Sequence, residues 1–121
     1  MAKSSKSKTG GKSWTQGLDA KQVREALEEA TVDAYGEDEQ HSALLTAIED
    51  ELAFPFPAQV LGENVSVVGM EWPEGDGFGL DLVCERSGQR HRIEARSVEL
   101  LEPLPDGHVF LAAYLDWKRR M

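Results

Sequence analysis

Cysteine is almost missing from this chain. The 121 residues include one, Cys84. That excludes an internal disulfide framework, and its place in a strand-like run reads as a buried structural thiol without chemistry of its own. No apolar run approaches the length of a membrane span. The opening MAKSSKSKTGGKS has no apolar stretch of the kind a secretory signal needs. A cytoplasmic protein without a membrane partner is the expectation. His41, His91 and His108 have no mutual spacing that makes a zinc site, and no cysteine supports them. Also missing are a Ser/His/Asp pattern, a Gly-rich strand-to-helix phosphate loop and an isolated carboxylate pair in an apolar run, so nothing calls for catalysis and a non-enzyme is expected.

The most telling absence is of positive charge. From Glu25 to Glu51 there are ten carboxylates and no Lys or Arg. The net charge of −9 is uneven: residues 1–18 carry +4, residues 19–51 carry −9 and residues 52–121 carry −4. An unneutralised field of this kind costs stability through self-repulsion unless solvent, a basic partner or a cation relieves it. Nucleic acid is a poor partner for the folded part, because phosphate contacts need clustered Lys and Arg.

What is present suits one domain with a single core. Residues 1–17 are mostly Ser, Lys, Gly and Thr with a lone Trp14 and read as a disordered basic tail, leaving 18–121 as the domain. Asp19 and Gln22 have capping-box spacing, and Val23, Leu27, Ala30 and Ala34 recur at helical intervals. That first helix is expected to close near Tyr35-Gly36. A second helix is expected from about Glu37 to Leu52, with Leu44, Leu45, Ala47, Ile48 and Leu52 on its apolar side and Glu37, Asp38 and Glu39 in its first turn, where the helix dipole favours acids. Together they predict an acidic helical hairpin over 19–53.

The turn of that hairpin holds a concentration of oxygen. Asp33, the carbonyls around Tyr35, and Glu37, Asp38 and Glu39 lie within seven residues. Calcium takes six to eight oxygens, carboxylate and carbonyl alike, and does so readily where the chain bends. An EF-hand loop begun at Asp33 would put Asp38 where glycine is required and Leu44 where the bidentate glutamate belongs, so the pattern is not an EF-hand. Spacing leaves two readings open: a cation site, or first-turn acids that complement the helix N-terminus beside a solvated acidic face. Glu49, Asp50 and Glu51 lie roughly 15 to 20 Å from the corner at the standard helical rise and need a different site or role.

Asp33-Ala34-Tyr35-Gly36, Glu39-Gln40, Glu49-Asp50 and Phe54-Pro55-Phe56, continuing to Ala58, resemble a family of small calcium-binding proteins known from cyanobacteria. The close match covers about 26 residues, and the segment after it matches loosely. The resemblance implies calcium (Ca2+) binding without an EF-hand, with Asp33, Tyr35, Asp38, Glu39 and Asp50 as the matching oxygen donors. The N-terminal tail and the last helix fall outside it.

Beyond Phe54-Pro55-Phe56-Pro57, where proline favours extended chain, the texture is that of a β meander over 58–101. Strands are expected at Gln59–Gly62, at Val65–Trp72, along Phe78, Leu80, Leu82 and Cys84, and, after a Ser87-Gly88 turn, along His91, Ile93 and Ala95. These point to a small SH3-like antiparallel barrel or a bent sheet. Glu71, Glu74, Asp76 and Asp81 offer a second, weaker metal pattern, more simply read as a hairpin loop. Arg90, Arg92 and Arg96 are expected to pair across strands. Val109, Phe110, Ala113, Tyr114 and Trp117 then mark a helix over 106–120 with Lys118, Arg119 and Arg120 at its C-terminus. Its aromatic stripe packs on the rest or makes a dimer contact, leaving a monomer or a weak dimer. The expected class is α+β, and the expected function is a calcium buffer or sensor. The competing reading is a metal-free interaction module whose acidic face docks a basic protein.

Overall fold

The computed structural model describes residues 13–75 and 77–121. Its helices are α1 (Ala20–Ala30), α2 (Glu37–Glu51) and α3 (His108–Arg119). Its strands are β1 (Phe56–Val60), β2 (Glu63–Glu71), β3 (Asp81–Arg86), β4 (Gln89–Glu94) and β5 (Glu99–Leu100). The class is α+β, as the sequence indicates.

All strand pairs are antiparallel, in the spatial order β4-β3-β2-β1-β5. The first four form a meander, and β5 returns to the free side of β1 after a 3-10 turn at Ala95–Ser97. Among the described residues no ladder joins β4 to β5, so the sheet is open. Two two-residue loops set the registers. Leu61-Gly62 and Ser87-Gly88 are all left-handed, the geometry that matches the twist of hairpin strands. β2 carries a bulge between Val67 and Gly69, which breaks its two-residue alternation and bends the sheet. The first strand begins at Phe56 rather than Gln59, because Pro57 is paired with Ser66 within the β1–β2 ladder.

The core lies between the sheet and the helices. Leu44, Leu45 and Ile48 of α2, Leu111, Ala113 and Tyr114 of α3, and Phe56, Ala58, Val67, Leu82, Cys84 and Leu100 of the sheet are all buried. Each large aliphatic side chain there contributes about 1.5 to 3 kcal/mol. The alternation of Leu80, Leu82 and Cys84 is realised, all three facing inward.

Three expectations need correction or refinement. α1 ends at Ala30, not near Gly36, since Thr31 caps it by turning its own hydroxyl back onto the Leu27 carbonyl at 2.7 Å. The two acidic helices touch, as expected of a hairpin, but each packs more extensively on α3, so the pair is part of a layer of three helices. Finally, the part of the tail that is described is ordered into a 3-10 turn at Trp14–Gly17, capped by Ser13, with Trp14 packed against the core. Residues 1–12 lie outside the described residues.

Candidate functional site

The corner between α1 and α2 is built by local hydrogen bonds. Past the Thr31 cap, the Ala34 N–H donates to the Thr31 carbonyl at 3.0 Å, which turns the chain. Gly36 then opens α2 with φ +93°, a left-handed conformation that suits glycine, and its carbonyl accepts the first intrahelical bond from Gln40. Gly36 has no side chain with which to cap the helix. Glu39 reaches back instead, its Oε1 accepting from the Tyr35 N–H at 2.8 Å. Glu37, Asp38 and Glu39 therefore stand in the first turn as expected.

The proposed ligands do not all come together. Asp33, Asp38 and Glu39 line one shallow concavity of about 490 Å³, whose walls also include Val32, Ser42 and Ala43. Ser42 is a residue that sequence reasoning missed. The signal was available, for Ser42 lies four residues beyond Asp38 and so on the same helical face. Tyr35 and Glu37 sit at the corner outside that lining, with Tyr35 80 % exposed. Asp50 lies in the last turn of α2, about 18 Å along the helix from Asp38 at the standard rise. It cannot share an ion with the corner.

Carboxylates, a hydroxyl and the carbonyls of a bend are the donor types that calcium prefers. The donor types at the corner are those a hard cation takes. The carboxylates are not drawn into a closed shell: among the described residues, no three His, Cys, Asp or Glu side chains stand close enough to hold a metal ion. None of the carboxylates from Glu25 to Glu51 has an ion-pair partner among the described residues either, since the ion pairs lie between Glu63 and Arg120.

The second acidic pattern has a different fate. Arg92 places its guanidinium 3.1 Å from Asp81 and 3.5 Å from Glu74, so these carboxylates are answered by an arginine. Asp76 lies outside the described residues. Arg90 pairs with Glu85 opposite it on β3, and Arg96 pairs with Glu94. The cross-strand role expected of Arg90 and Arg92 is what the structure shows.

α2 is held rigidly behind the corner. His41 is buried, and its Nε2–H donates to the Gly79 carbonyl at 2.8 Å. Its ring stacks on Trp117 with centroids 6.0 Å apart and meets the edge of Phe78 at 5.5 Å. The Trp117 indole N–H donates to Gln40 Oε1 at 2.9 Å. These contacts tie the first turns of α2 to α3 and to the segment before β3. Cys84 is buried, and burial pushes its thiol up, as befits a structural group.

No family model matches the chain, and no curated protein matches it. Among solved structures, the crystal structure of CcbP from Anabaena is similar. The likeness has a TM-score of 0.67 at 18 % identity and covers 84 % of this chain and 92 % of that one. At such identity it is the fold that the two chains share.

Proposed function

We propose that this chain is a calcium-binding protein, a cytoplasmic buffer or sensor, whose ion site is the α1–α2 corner and not an EF-hand. The observation that carries this is that Asp33, Asp38 and Glu39 line one concavity, within a run of carboxylates that have no ion pair among the described residues; to hold an ion the three side chains would have to close in on it. Two further points support it: the fold neighbour CcbP is a cyanobacterial calcium-binding protein, and the DAYG, EQ and FPF strings resemble that family. In this reading the open, bent sheet, SH3-like in its meander, carries the helical layer.

Asp33, Asp38 and Glu39 would hold the ion, with the Tyr35 carbonyl and Glu37 at its margin and Ser42 as a hydroxyl donor. A bound calcium supplies positive charge that offsets the mutual repulsion of these acids. Glu39 keeps one oxygen on the Tyr35 N–H and has the other free to turn inward, so it links the bend to the ion site. Asp50 belongs to a separate surface. The function is binding, not catalysis.

Calorimetric titration of chelator-stripped protein, with magnesium as competitor, tests the assignment. A saturable calcium heat is expected, lost in Asp33→Asn and in Asp38→Asn and retained in Asp50→Asn. Calcium at about 100 times its dissociation constant should add roughly 2.7 kcal/mol of stability. Absence of both the heat and the melting shift would overturn the reading. It would leave the docking alternative, which the exposed Val32 and Tyr35 beside the acids favour: an aromatic and an aliphatic side chain amid carboxylates suit a basic peptide.

A further inference from the structure

A second concavity, larger than that at the acidic corner, lies away from it, and its chemistry is of the opposite sign. It encloses about 640 Å³ between the Trp14–Gly17 turn, the first half of α1, β5 with the 3-10 turn before it, and the C-terminal turn of α3. That volume is in the range of small-molecule sites. Trp14, Leu18, Val23, Val98, Ala112 and Leu115 supply apolar walls. Five cationic side chains line the same space against two carboxylates, Glu99 and Asp116, in a chain of net charge −9.

The partners of these charges decide what the cavity can accept. Asp116 is taken by Arg119 and Arg120, and Arg96 is taken by Glu94. Arg24, on α1, and Lys118, on α3, have no carboxylate partner among the described residues. They come to the cavity from two different helices. Some of the charge at the end of α3 complements the helix dipole. That account does not extend to Arg24, which sits in the second turn of α1, away from any helix C-terminus. Glu99 on β5 is half-buried, and desolvation raises its carboxyl while the Trp14 backbone N–H beside it works the other way.

We infer that this cavity binds an organic anion with an apolar body, an alkyl or aryl carboxylate, its acid group held between Arg24 and Lys118 and its body against Trp14 and Leu115. The acidic corner is on other elements and is not involved, so the inference stands independently of the calcium reading. Inorganic phosphate would satisfy the cations but not the walls, and a neutral alcohol the walls but not the cations. An anion carrying both features is the ligand that uses the whole cavity.

The test is a titration of the full chain with octanoate, followed by amide and indole NMR shifts. Saturable shifts are expected at the Trp14 indole and at the Ala112 and Leu115 amides. Octanol and inorganic phosphate should each bind at least about tenfold more weakly, the loss expected for one charge-assisted hydrogen bond or for an unfilled apolar wall. Arg24→Gln and Lys118→Gln should each weaken octanoate by a similar factor while the amide spectrum shows the fold intact, and Asp38→Asn should leave octanoate binding unaffected. Failure to saturate at millimolar octanoate, shifts centred elsewhere, equal affinity for octanol or for phosphate, or indifference to both substitutions would overturn the assignment.

Discussion

Tyr114 sits where α3, α2 and the segment before β3 meet. Its hydroxyl donates to the Phe78 carbonyl at 2.9 Å, and its ring lies against His41 and Trp117. Burial, reinforced by the Glu94 and Asp81 carboxylates and opposed by Arg96, pushes its phenol from 10.0 up to about 12. The sign follows from which state ionises first. Below about pH 10 the phenol is neutral folded and unfolded alike, and its contribution is intact. Between about pH 10 and 12 the unfolded chain ionises while the folded one does not, so stability falls as pH rises through that window. Urea midpoints across this range should show the decline, and Tyr114→Phe should reduce it. At neutral pH the same substitution should cost about 1 kcal/mol, the net worth of the lost hydrogen bond. An unchanged alkaline decline in Tyr114→Phe would mean that another group carries it.

At the scale of elements, the junction of α2 with α3 is closely packed at Gly107. Gly107 precedes α3 with φ +83°, and a Cβ there would run into the Glu51 carbonyl and come within 2.7 Å of the Leu52 Cα. The Ala53 N–H also donates to the Asp106 carbonyl at 3.0 Å. Gly36 has a similar φ of +93° but open space around it. Gly36→Ala should therefore cost only the strained positive-φ backbone, about 1 to 3 kcal/mol. Gly107→Ala should cost more, because the backbones of two helix ends must separate as well. Equal losses in thermal unfolding would refute the steric argument. These two glycines also mark where the sequence was readable. The start of α2 was legible because three acids follow a glycine, a local signal complete within one turn. The end of α1 was not, since Gly36 looks the same whether it closes one helix or opens the next; the stop was made at Thr31 by a side-chain bond that no spacing announces. The strands from Leu80 to Cys84 could be read from alternation, but the bulge at Val67 to Gly69 could not, as it depends on the partner strand. The aromatic stripe of α3 showed that the helix is buried without showing that α1 and α2 share it. At the corner, Asp33, Asp38 and Glu39 were legible as neighbours in sequence, whereas Ser42 joins them through helical geometry. Sequence spacing alone could place Asp50 far from the corner, and the structure makes that separation physical.

Across the whole molecule, charge is divided between two faces. The α1–α2 side has ten carboxylates without an ion pair among the described residues, while the cavity beside the end of α3 gathers cations. Repulsion among exposed carboxylates is screened by salt over about 10 Å at 0.1 M. Melting temperature should therefore rise with sodium chloride, and Glu28→Gln or Glu29→Gln, outside the concavity, should reproduce part of that rise at low salt. Calcium acting merely as an ionic atmosphere would do no more than any divalent salt of equal ionic strength. A calcium ion held by Asp33, Asp38 and Glu39 has a different signature. At fixed ionic strength its stabilisation should follow the linkage form, growing with the logarithm of concentration once above the dissociation constant. Magnesium, which demands a tighter octahedral shell, should match it poorly. Asp38→Asn separates the two effects. It relieves repulsion but gives up a favourable charge at the start of α2, so the low-salt, calcium-free melting temperature should change little, while the calcium-specific increment should be abolished. Thermal melts of the wild type and Asp38→Asn at matched ionic strength, with calcium, magnesium or sodium alone, read both quantities at once. If the variant keeps the calcium increment, the corner is only a repulsive surface that salt relieves.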